Sequence, residues 1–549
     1  MPFIGEIFSQ LKAAADTTVI QEIRGGKLSG VTGAGFLDLI RQARTFFAAR
    51  GLKKGDRCGV LAANSIRWMA LDLAALSEGL IVVPLYFRQA PAELVAIMRD
   101  CTPALVCCGD QVLREGVQQN WDTQHNAATA PDYFLFDEIF AGTEGVALDR
   151  PQVRDADSVT IIYTSGTSGE AKGVILTAAN VGFMLGCTAA RLDLLMGGRS
   201  ERDRIFHYLP FNFCASWIAM LTFLTRGSLV TLNTDLTKIA GDMPTVAPHY
   251  FLNVPQLLER MRRGVDEQIA RKGGIAQAIY SRGKNAWAAK RTSSLWLALA
   301  KAIVFPTIRK KAVGGNLKAL ICGSAPLTPD TQDYFTMLGI PVLQVYGLTE
   351  TTGICTMDDP HHVALGRVGP AISGIEMKLA DNDEIVVRGP NIFPGYWNRP
   401  QQTAEVLRDG WFHTGDQGEI DAAGSWRIVG RIKNLLVLGS GHKIAPETVE
   451  EEIGRLLPNA QQVVVVGNGR GYLSAIVTGN VSREEVRAAL DAVNPQLPHY
   501  KQVRAFSVRP EPFSSENGML TANGKLKRDL ISVRMKAEIE AMYQVKQAV

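Results

Sequence analysis

The sequence predicts an α/β protein in two parts: a large N-terminal domain of layered, mostly parallel sheets with helices, and a small α+β C-terminal domain. Three observations carry that expectation. The chain has 549 residues, well past the ~250–300 at which one hydrophobic core stops growing. Its first half alternates short β-branched apolar runs with stretches of helical periodicity, the pattern of parallel strands joined by helices. From about residue 431 the pattern changes to valine-rich strands and charged amphipathic helices. The boundary falls near Gly430–Lys433, giving domains 1–430 and 431–549.

The elements follow in order. "GFLDLIRQARTFFAARGL" has apolar residues at helical spacing and ends at Gly51, a C-cap. "DRCGVLAA" is a short buried strand and "IRWMALDLAALSEG" the next helix. "LIVVPLY" is strand-like, its proline marking the end, and "PALVCCGD" repeats the strand pattern. "DSVTIIYTSGTSG" is a β-branched strand running into a glycine loop. Ligands in parallel α/β sheets sit at the carboxyl ends of strands, so this loop stands where a ligand belongs. Beyond residue 431, "RIKNLLVLGSGHKIAPETVEEEIGRLLP", "QQVVVVGNGRGYLSAIVTG" and "SREEVRAALDAVN" make the small unit.

Composition bounds the function. Apolar residues at 46% and charged residues at 20% are those of an ordinary globular protein. The 52 glycines exceed the usual ~7% and predict many tight turns and close backbone approaches. A net charge of +4 gives no argument for nucleic acid. The eight cysteines are scattered without CxxC or Cys/His clustering, which predicts buried reduced thiols and no structural zinc. The N-terminus lacks a signal-peptide core, and no run of about 18 uncharged apolar residues is present; the expected location is the cytoplasm. Residues 259–311 stand apart, with thirteen basic side chains against three acidic ones and Trp287, Trp296 and Phe305 interleaved. Two readings stay open: helices packed on the large domain with a solvated face, or a basic, aromatic surface making peripheral contact with anionic lipid at the inner membrane face.

Four constellations carry chemistry. In "YTSGTSGEAKG", residues 163 to 173, backbone N–H groups of a glycine-rich turn can nest anionic oxygens. Thr164, Ser165, Thr167 and Ser168 add hydroxyls, Gly166 and Gly169 the turn, and Lys172 a mobile charge. A flexible connector has the same composition; the strand before it and the lysine after it favour phosphate. The Walker pattern needs glycine before its lysine and Ser or Thr after, whereas Ala171 and Gly173 flank Lys172. In "LQVYGLTETTG", a carboxylate beside polyphosphate needs an intervening cation, so Glu350 reads as a Mg²⁺ ligand or else as a plain solvated acid; Tyr346 reads as a stacking surface for a base. In "GWFHTGDQGEID", Asp416 can accept from two ribose hydroxyls, with Arg431 as a complementary donor. In "LTANGKLKRDLI", Lys525 in isolation reads as a surface lysine.

Together and in this order, these motifs resemble the adenylate-forming superfamily of acyl-CoA synthetases, peptide-synthetase adenylation domains and luciferases, from about residue 28 to 531. "GSAPL" at 323 to 327 resembles its adenine-side loop and "RGPNIFPGYWNRPQQT" the segment after it. "VFPTIRKKAVGGNLKALICGSAPL" resembles the long-chain fatty acyl-CoA synthetases, which carry an extra basic helical segment here, matching 259–311. The resemblance implies a ligase that attacks the α-phosphorus of ATP with a fatty carboxylate, releases pyrophosphate, and passes the acyl group to coenzyme A. It implies that Thr164 and Glu350 hold Mg²⁺, that Ser165 to Lys172 grip the β- and γ-phosphates, and that Thr349 binds the α-phosphate. Ser324, Ala325 and Tyr346 would frame the adenine, with Gly323, Gln344 and Gly347 completing the nucleotide set. Asp416 and Arg431 would hold the ribose, and Lys525 would bridge the carboxylate and α-phosphate. The small domain would swing at Lys433, bringing Gly439, Ser440, Gly441 and His442 to the pantetheine tunnel. Phe213, Trp217, Val254 and Pro255 are the expected acyl-pocket lining.

Three positions depart from the family pattern: Ala171 for proline, Asn434 for an acid, and Phe213 for histidine. Other readings compete: a fatty acyl-AMP ligase loading a carrier protein, an adenylating ligase for an aryl or other small acid, and a silent acyl- or nucleotide-binding protein. Monomer and homodimer both stay open.

Overall fold

The structure, a computed structural model, describes all residues except 125–129, 143–150, 166–170, 199–200, 515, 522–523 and 545–549. Two sheets dominate the first two thirds of the chain. The six-stranded one runs in the order Asp132–Leu135, Leu105–Cys108, Arg57–Leu61, Ile81–Leu85, Ser158–Ser165, Ala171–Thr177, parallel except for the last pair. The eight-stranded one runs Gly353–Met357, Val342–Leu348, Ala319–Cys322, Tyr250–Asn253, Arg204–His207, Leu229–Asn233, Thr18–Arg24, Lys27–Thr32, with antiparallel pairs only at its two ends. The alternation read from the sequence thus becomes two parallel-cored layers.

Local chemistry explains the elements. Thr32 caps the helix Gly33–Ala49 by accepting from the Gly35 N–H at 3.2 Å, and Phe36, Ile40, Ala43 and Phe47 form its buried stripe. Gly51 follows at φ +68°, the left-handed position glycine tolerates. The helices Ile66–Ser77 and Cys214–Thr225 are buried on nearly every side, as helices apolar all round must be. They meet where the Trp217 Nε1–H donates to Asp72 Oδ1 at 3.0 Å. The strand Ile81–Leu85 continues through Pro84 instead of ending there; pairing to its other neighbour is confined to Val82 opposite Thr160, so the missing N–H costs little.

Two features were not anticipated. Residues 376 to 431 form a separate five-stranded antiparallel sheet: Glu376–Leu379, Glu384–Arg388, Leu407–Arg408, Trp411–Ile420 and Trp426–Arg431. Turns at Gly410 and Gly424, both at positive φ, replace the helical crossovers that parallel strands need. The strand after the glycine loop, moreover, pairs antiparallel with the strand before it, with Gly173, Val174 and Ile175 beside Tyr163, Ile162 and Ile161.

The small domain has its own cores. The strands Ala460–Val466, Leu473–Gly479 and Val503–Arg509 carry helices Pro446–Arg455 and Arg483–Val493 around Ile444, Val449, Ile453, Leu473 and Val486. A second cluster, with Phe513, Met519, Ile531 and Met542, packs the C-terminal helices Arg528–Arg534 and Lys536–Gln544 against the sheet. Arg528 forks onto half-buried Glu450 at 2.7 and 2.6 Å, tying the start of those helices to the domain. All eight cysteines are free, and all but half-buried Cys187 are buried. Among the described residues no helix is long and apolar enough to cross a membrane.

Candidate active site

The hairpin Ser158–Thr177 sets the phosphate-loop residues. Thr164 faces Lys172 across the ladder and Ser165 faces Ala171. Gly166, Thr167, Ser168 and Gly169 lie outside the described residues. A Cβ on Gly173 would stand 2.7 Å from Ile161 and 3.0 Å from the Tyr163 ring. Its absence lets the chain at Trp397 close in, with the Trp397 N–H donating to Gly173 O at 2.7 Å. The Tyr163 hydroxyl donates to Asp100 at 2.5 Å, and Arg399 reaches the other Asp100 oxygen at 3.0 Å. The root of the loop is thereby fixed to the segment 395–399. Ala171 packs into the apolar cluster below the hairpin.

That segment also supplies Tyr396, which the sequence reading quoted without a role. Its hydroxyl donates to Glu350 Oε1 at 2.8 Å, and the Lys172 ammonium lies 5.2 Å from its ring centroid. Tyr396 therefore touches both the loop lysine and the expected metal-binding carboxylate. Glu350 sits in a single turn, Thr349–Thr351, locked from behind: the Thr352 hydroxyl donates to Asn391 O at 2.7 Å, and the Phe393 N–H to Glu350 O at 2.9 Å. Half-buried Thr349 stands at the start of this turn. Gly347 admits no side chain, since a Cβ would fall 1.8 Å from Gly353 O.

Asp416 and Arg431 face each other across the strands Trp411–Ile420 and Trp426–Arg431, which is why residues so far apart in sequence meet. Arg431 Nε lies 2.6 Å from Asp416 Oδ1, and the Tyr346 hydroxyl donates to Oδ2 at 2.7 Å. Burial pushes the Asp416 pKa up, against the pull of Arg431, Tyr346 and Lys525. Burial likewise drives the Tyr346 phenol far up, reinforced by Asp416. Tyr346 thus has its hydroxyl tied to the expected ribose acid and is more than a stacking surface. Each carboxylate oxygen keeps a second lone pair, so vicinal hydroxyls can still donate to Asp416.

On the other wall, Gly323 is buried and leaves no room for a side chain, since a Cβ would meet Val345 at 2.6 Å, while Ser324 and Ala325 are exposed. Ser324 holds φ +72°, a left-handed conformation that costs a non-glycine residue about 1–3 kcal/mol and concentrates at ligand sites. Gln344 differs from expectation: it is buried, and its amide donates to Gln332 Oε1 at 3.0 Å. Its side chain is committed to the interior, and any nucleotide contact falls to its neighbours.

From the small domain, Lys525 follows Gly524, at φ +74°, in a turn closed by Thr521. The cleft wall around its ammonium lowers its pKa and Arg431 lowers it further, while Asp416 and Glu350 oppose. The lysine is exposed, as its sequence context suggests, yet it feels Arg431 at the domain boundary and Asp416 and Glu350 of the large domain. Lys433 lies in the turn Ile432–Asn434 between the domains. Burial first, then Arg431, lowers its pKa, with Lys172 and Lys525 adding to the effect. Asn434, the departure from an acid, donates to Glu447 at 2.6 Å, an acceptor that a carboxylate there would repel. Gly439, Ser440, Gly441 and His442 form an exposed hairpin turn away from Lys525 in chain and on the small domain's own surface, His442 stacking on Tyr500 at 4.3 Å.

The residues expected to line the acyl pocket have the following partners. Trp217 is fully buried, and its Nε1–H donates to Asp72. Phe213, half-buried, precedes the same helix and lies 6.0 Å from Tyr86. Val254 donates its N–H to the Tyr208 hydroxyl at 3.3 Å, and Pro255 is buried at the start of the next helix. Nearby His207, which sequence reasoning passed over, is buried with Nε2 at 2.8 Å from Ser216 Oγ; burial lowers its pKa to about 4.

Comparison with known proteins finds relatives along nearly the whole chain. Residues 8–397 match the family model described as AMP-binding enzyme, and residues 433–547 that of the AMP-binding enzyme C-terminal domain. A long-chain-fatty-acid–CoA ligase of Mycobacterium bovis is 28% identical, covering 98% of this chain and 96% of that one. Long chain acyl-CoA synthetase 2 of Arabidopsis thaliana is 26% identical over 90% of this chain and 84% of its own. In fold, the anthranilate CoA ligase AuaEII in complex with anthranoyl-AMP superposes with a TM-score of 0.76 at 18% identity, covering 98% of each chain. ATP-bound MatB from Rhodopseudomonas palustris superposes at 0.73 and 23%, covering 97% of this chain and 99% of that one. The chain belongs to the AMP-binding enzyme family.

Proposed function

We propose that this member of the family activates a long-chain fatty carboxylate with ATP as acyl-AMP and then transfers the acyl group to coenzyme A, releasing AMP. The observation that carries the reading is the position of Lys525, an exposed lysine of the small domain that lies in the electrostatic field of Arg431, at the domain boundary, and of Asp416 and Glu350 of the large domain. The long-chain acid and the coenzyme A acceptor are supported by the names of relatives that align along nearly the whole chain.

In the first half-reaction the carboxylate must meet the α-phosphorus while negative charge grows on the phosphate oxygens. Lys525 holds the attacking carboxylate against the α-phosphate, and the Thr349 hydroxyl faces the same group. Preorganised cations and N–H donors lower such a barrier most where water is excluded. Asp416 and Arg431 fix the ribose, with Tyr346 and the Ser324 turn framing the base. Glu350 fits a Mg²⁺ ligand because Tyr396 occupies only Oε1, and with Thr164 the ion would neutralise the polyphosphate. Lys172 and the loop before it steady the phosphates that depart.

In the second half-reaction Lys525 has to withdraw and make room for a thiol. The small domain, 431–549, turns about Lys433, and Gly439–His442 face the pantetheine. Two contacts across the interface have to break: the Lys443 ammonium on Asn382 Oδ1 at 3.1 Å and Arg263 on Pro458 O at 3.5 Å.

The deciding experiment is ATP-dependent thioester formation with free coenzyme A across fatty acids of graded length and an aryl acid. The expected result is a long-chain optimum. An aryl optimum would replace the substrate assignment, and acyl-AMP accumulation without thioester would replace the acceptor. No acid-dependent exchange of pyrophosphate into ATP would remove the enzyme reading.

A further inference from the structure

The helical segment Pro255–Val313 contributes none of the catalytic side chains, yet its outer face is chemically distinctive. Of the thirteen large apolar side chains exposed among the described residues, Ile275, Leu295, Trp296 and Ile303 fall within one stretch of 29 residues. Two helical arms build it: Gly274–Ala288, and the continuous run Leu295–Val313 with a π-turn at Ala300–Val304. The arms lie close because Gly283 faces Ala300, where a Cβ would stand 2.5 Å from that of Ala300.

The second arm buries Leu297, Ala300, Val304 and Phe305 against the large domain. Its opposite face is apolar as well. Leu295 is 70% exposed and Ile303 56%, with Ala298, Ala302 and Pro306 exposed between and beside them. "LWLALAKAIVFP", residues 295 to 306, contains one charge, Lys301. A helix apolar on all sides belongs in a core or in lipid, and a contiguous exposed apolar ridge marks an interaction surface.

The rim of the ridge is cationic. Arg282, Lys290, Arg291, Lys301, Lys310 and Lys311 are largely exposed, and among the described residues none is ion-paired. The segment's three acids face other cations: Asp266 pairs with Lys284 and Glu267 with Arg271, and Glu259 lies near Arg262 and Arg263. Lys311 lies beside Lys272 and lowers its pKa, two cations side by side in solvent. The Arg282 guanidinium lies 4.3 Å over the ring of half-exposed Trp296, the pairing of an aromatic body with a charged tip that suits a headgroup layer.

We propose that this ridge docks on an anionic bilayer, with Leu295 and Ile303 entering the headgroup–acyl boundary and the Lys/Arg rim against lipid phosphates. The apolar ridge alone would take any greasy partner, and the basic rim alone any polyanion. Only a surface with hydrocarbon behind dense negative charge satisfies both. The contact is peripheral, and it stands independently of which acid the enzyme activates.

The test is co-sedimentation of the full chain with vesicles of phosphatidylcholine alone and of equal parts phosphatidylcholine and phosphatidylglycerol, at low and high salt. Binding is expected to the anionic vesicles, falling with salt as surface charges are screened. Leu295→Glu/Ile303→Glu should weaken it more than about a hundredfold, the loss of two inserted side chains. Lys290→Glu/Arg291→Glu should weaken it at least about fivefold per charge. Both variants should keep the wild-type melting temperature and pyrophosphate exchange with a water-soluble acid. The proposal is overturned if the wild type stays in the supernatant with anionic vesicles, or if the ridge variant sediments as the wild type does. It is equally overturned if soluble polyglutamate binds wild type and ridge variant alike and as tightly as the vesicles do, since the surface would then read charge alone.

Discussion

Tyr396→Phe is the perturbation that best separates site chemistry from fold. The ring stays: it packs on Phe393 at 4.8 Å between centroids and underlies Lys172. What goes is one hydroxyl, which donates to Glu350 Oε1 at 2.8 Å. A hydrogen bond to a charged acceptor contributes about 1.5–3 kcal/mol. Glu350 is only half-buried, so water recovers part of that, leaving about 1–2 kcal/mol, or roughly 5–30-fold. If Glu350 holds the metal, the loss should fall on the Mg²⁺ dependence of acid-dependent pyrophosphate exchange: more Mg²⁺ for half-maximal rate, a lower kcat/KM for ATP, and little change in melting temperature. Tyr396→Leu also removes the face beneath Lys172 and should lose about a further 0.5–1 kcal/mol. An unchanged Mg²⁺ requirement with kcat/KM within about twofold of wild type would refute the assignment of Glu350. A rate loss tracking a matching fall in melting temperature would make Tyr396 merely structural.

Two other predictions follow from particular groups. Lys525→Ala should cut adenylation by about 10²–10³, the scale for losing one transition-state donor, and spare thioester formation from supplied acyl-AMP; equal losses would contradict its role. Because the cleft wall and Arg431 lower the Lys525 pKa, the alkaline decline of adenylation should begin below the ordinary lysine range and be absent from the alanine variant's residual rate. In the core, burial raises Asp72 to about 7, and its Oδ2 has no hydrogen-bond partner among the described residues. Between about pH 4 and 7 the folded state keeps a proton that the unfolded chain has lost, so this group's stability contribution falls as pH rises through that window. Asp72→Asn should flatten the fall and exceed the wild type above pH 7 by about 1–4 kcal/mol, the new amide N–H taking over the unpartnered position. Denaturant unfolding at pH 5 and pH 8 checks this, and an equal change at both would reject the raised pKa. Buried neutral His207 loses stability between pH 6.5 and about 4 in both proteins, leaving an acid limb as internal control.

The legible parts of this molecule are those where periodicity and local chemistry agree. The helices at Gly33–Ala49 and Ile66–Ser77 and the strands feeding the six-stranded sheet follow from apolar spacing and glycine punctuation. The hairpin carrying the glycine loop was not legible, since a β-branched run after a loop does not state its direction. The antiparallel sheet of residues 376–431 hid for a related reason: its strands are short and its order is set by pairing partners, as with Asp416 opposite Arg431. At the site, residue type exposed the acids and lysines, because charge beside glycine and hydroxyl turns is chemically pointed. Tyr396 left no such signal. An aromatic in a turn is ordinary until the fold lays it between Lys172 and Glu350. Gln344 and Trp217 show the converse, side chains of suggestive type that the interior claims for Gln332 and Asp72.

The electrostatics of the cleft bear on when the small domain should move. Lys525 and Lys433 are both made harder to charge by burial and by Arg431, and Lys172 and Lys525 add to the effect at Lys433. Glu350 and Asp416 oppose this at Lys525, and Asp529 does so at Lys433. Bringing Lys525 into the cleft therefore gathers like charges, and a ligand favours that state only to the extent that it binds it better. On the proposed site assignments a bound polyphosphate would do so, because its charge would meet Lys172 and Lys525 at once. Once pyrophosphate leaves, most of that negative charge is gone while the cations stay, and the repulsion favours withdrawal of Lys525 about Lys433. On the proposed chemistry, departure of pyrophosphate is thus the event that clears the site for a thiol. Protease cleavage around residues 431–434 should slow with ATP and Mg²⁺ and recover with AMP. Equal protection by ATP and AMP would show that the ribose contacts, and not the polyphosphate charge, hold the domain closed.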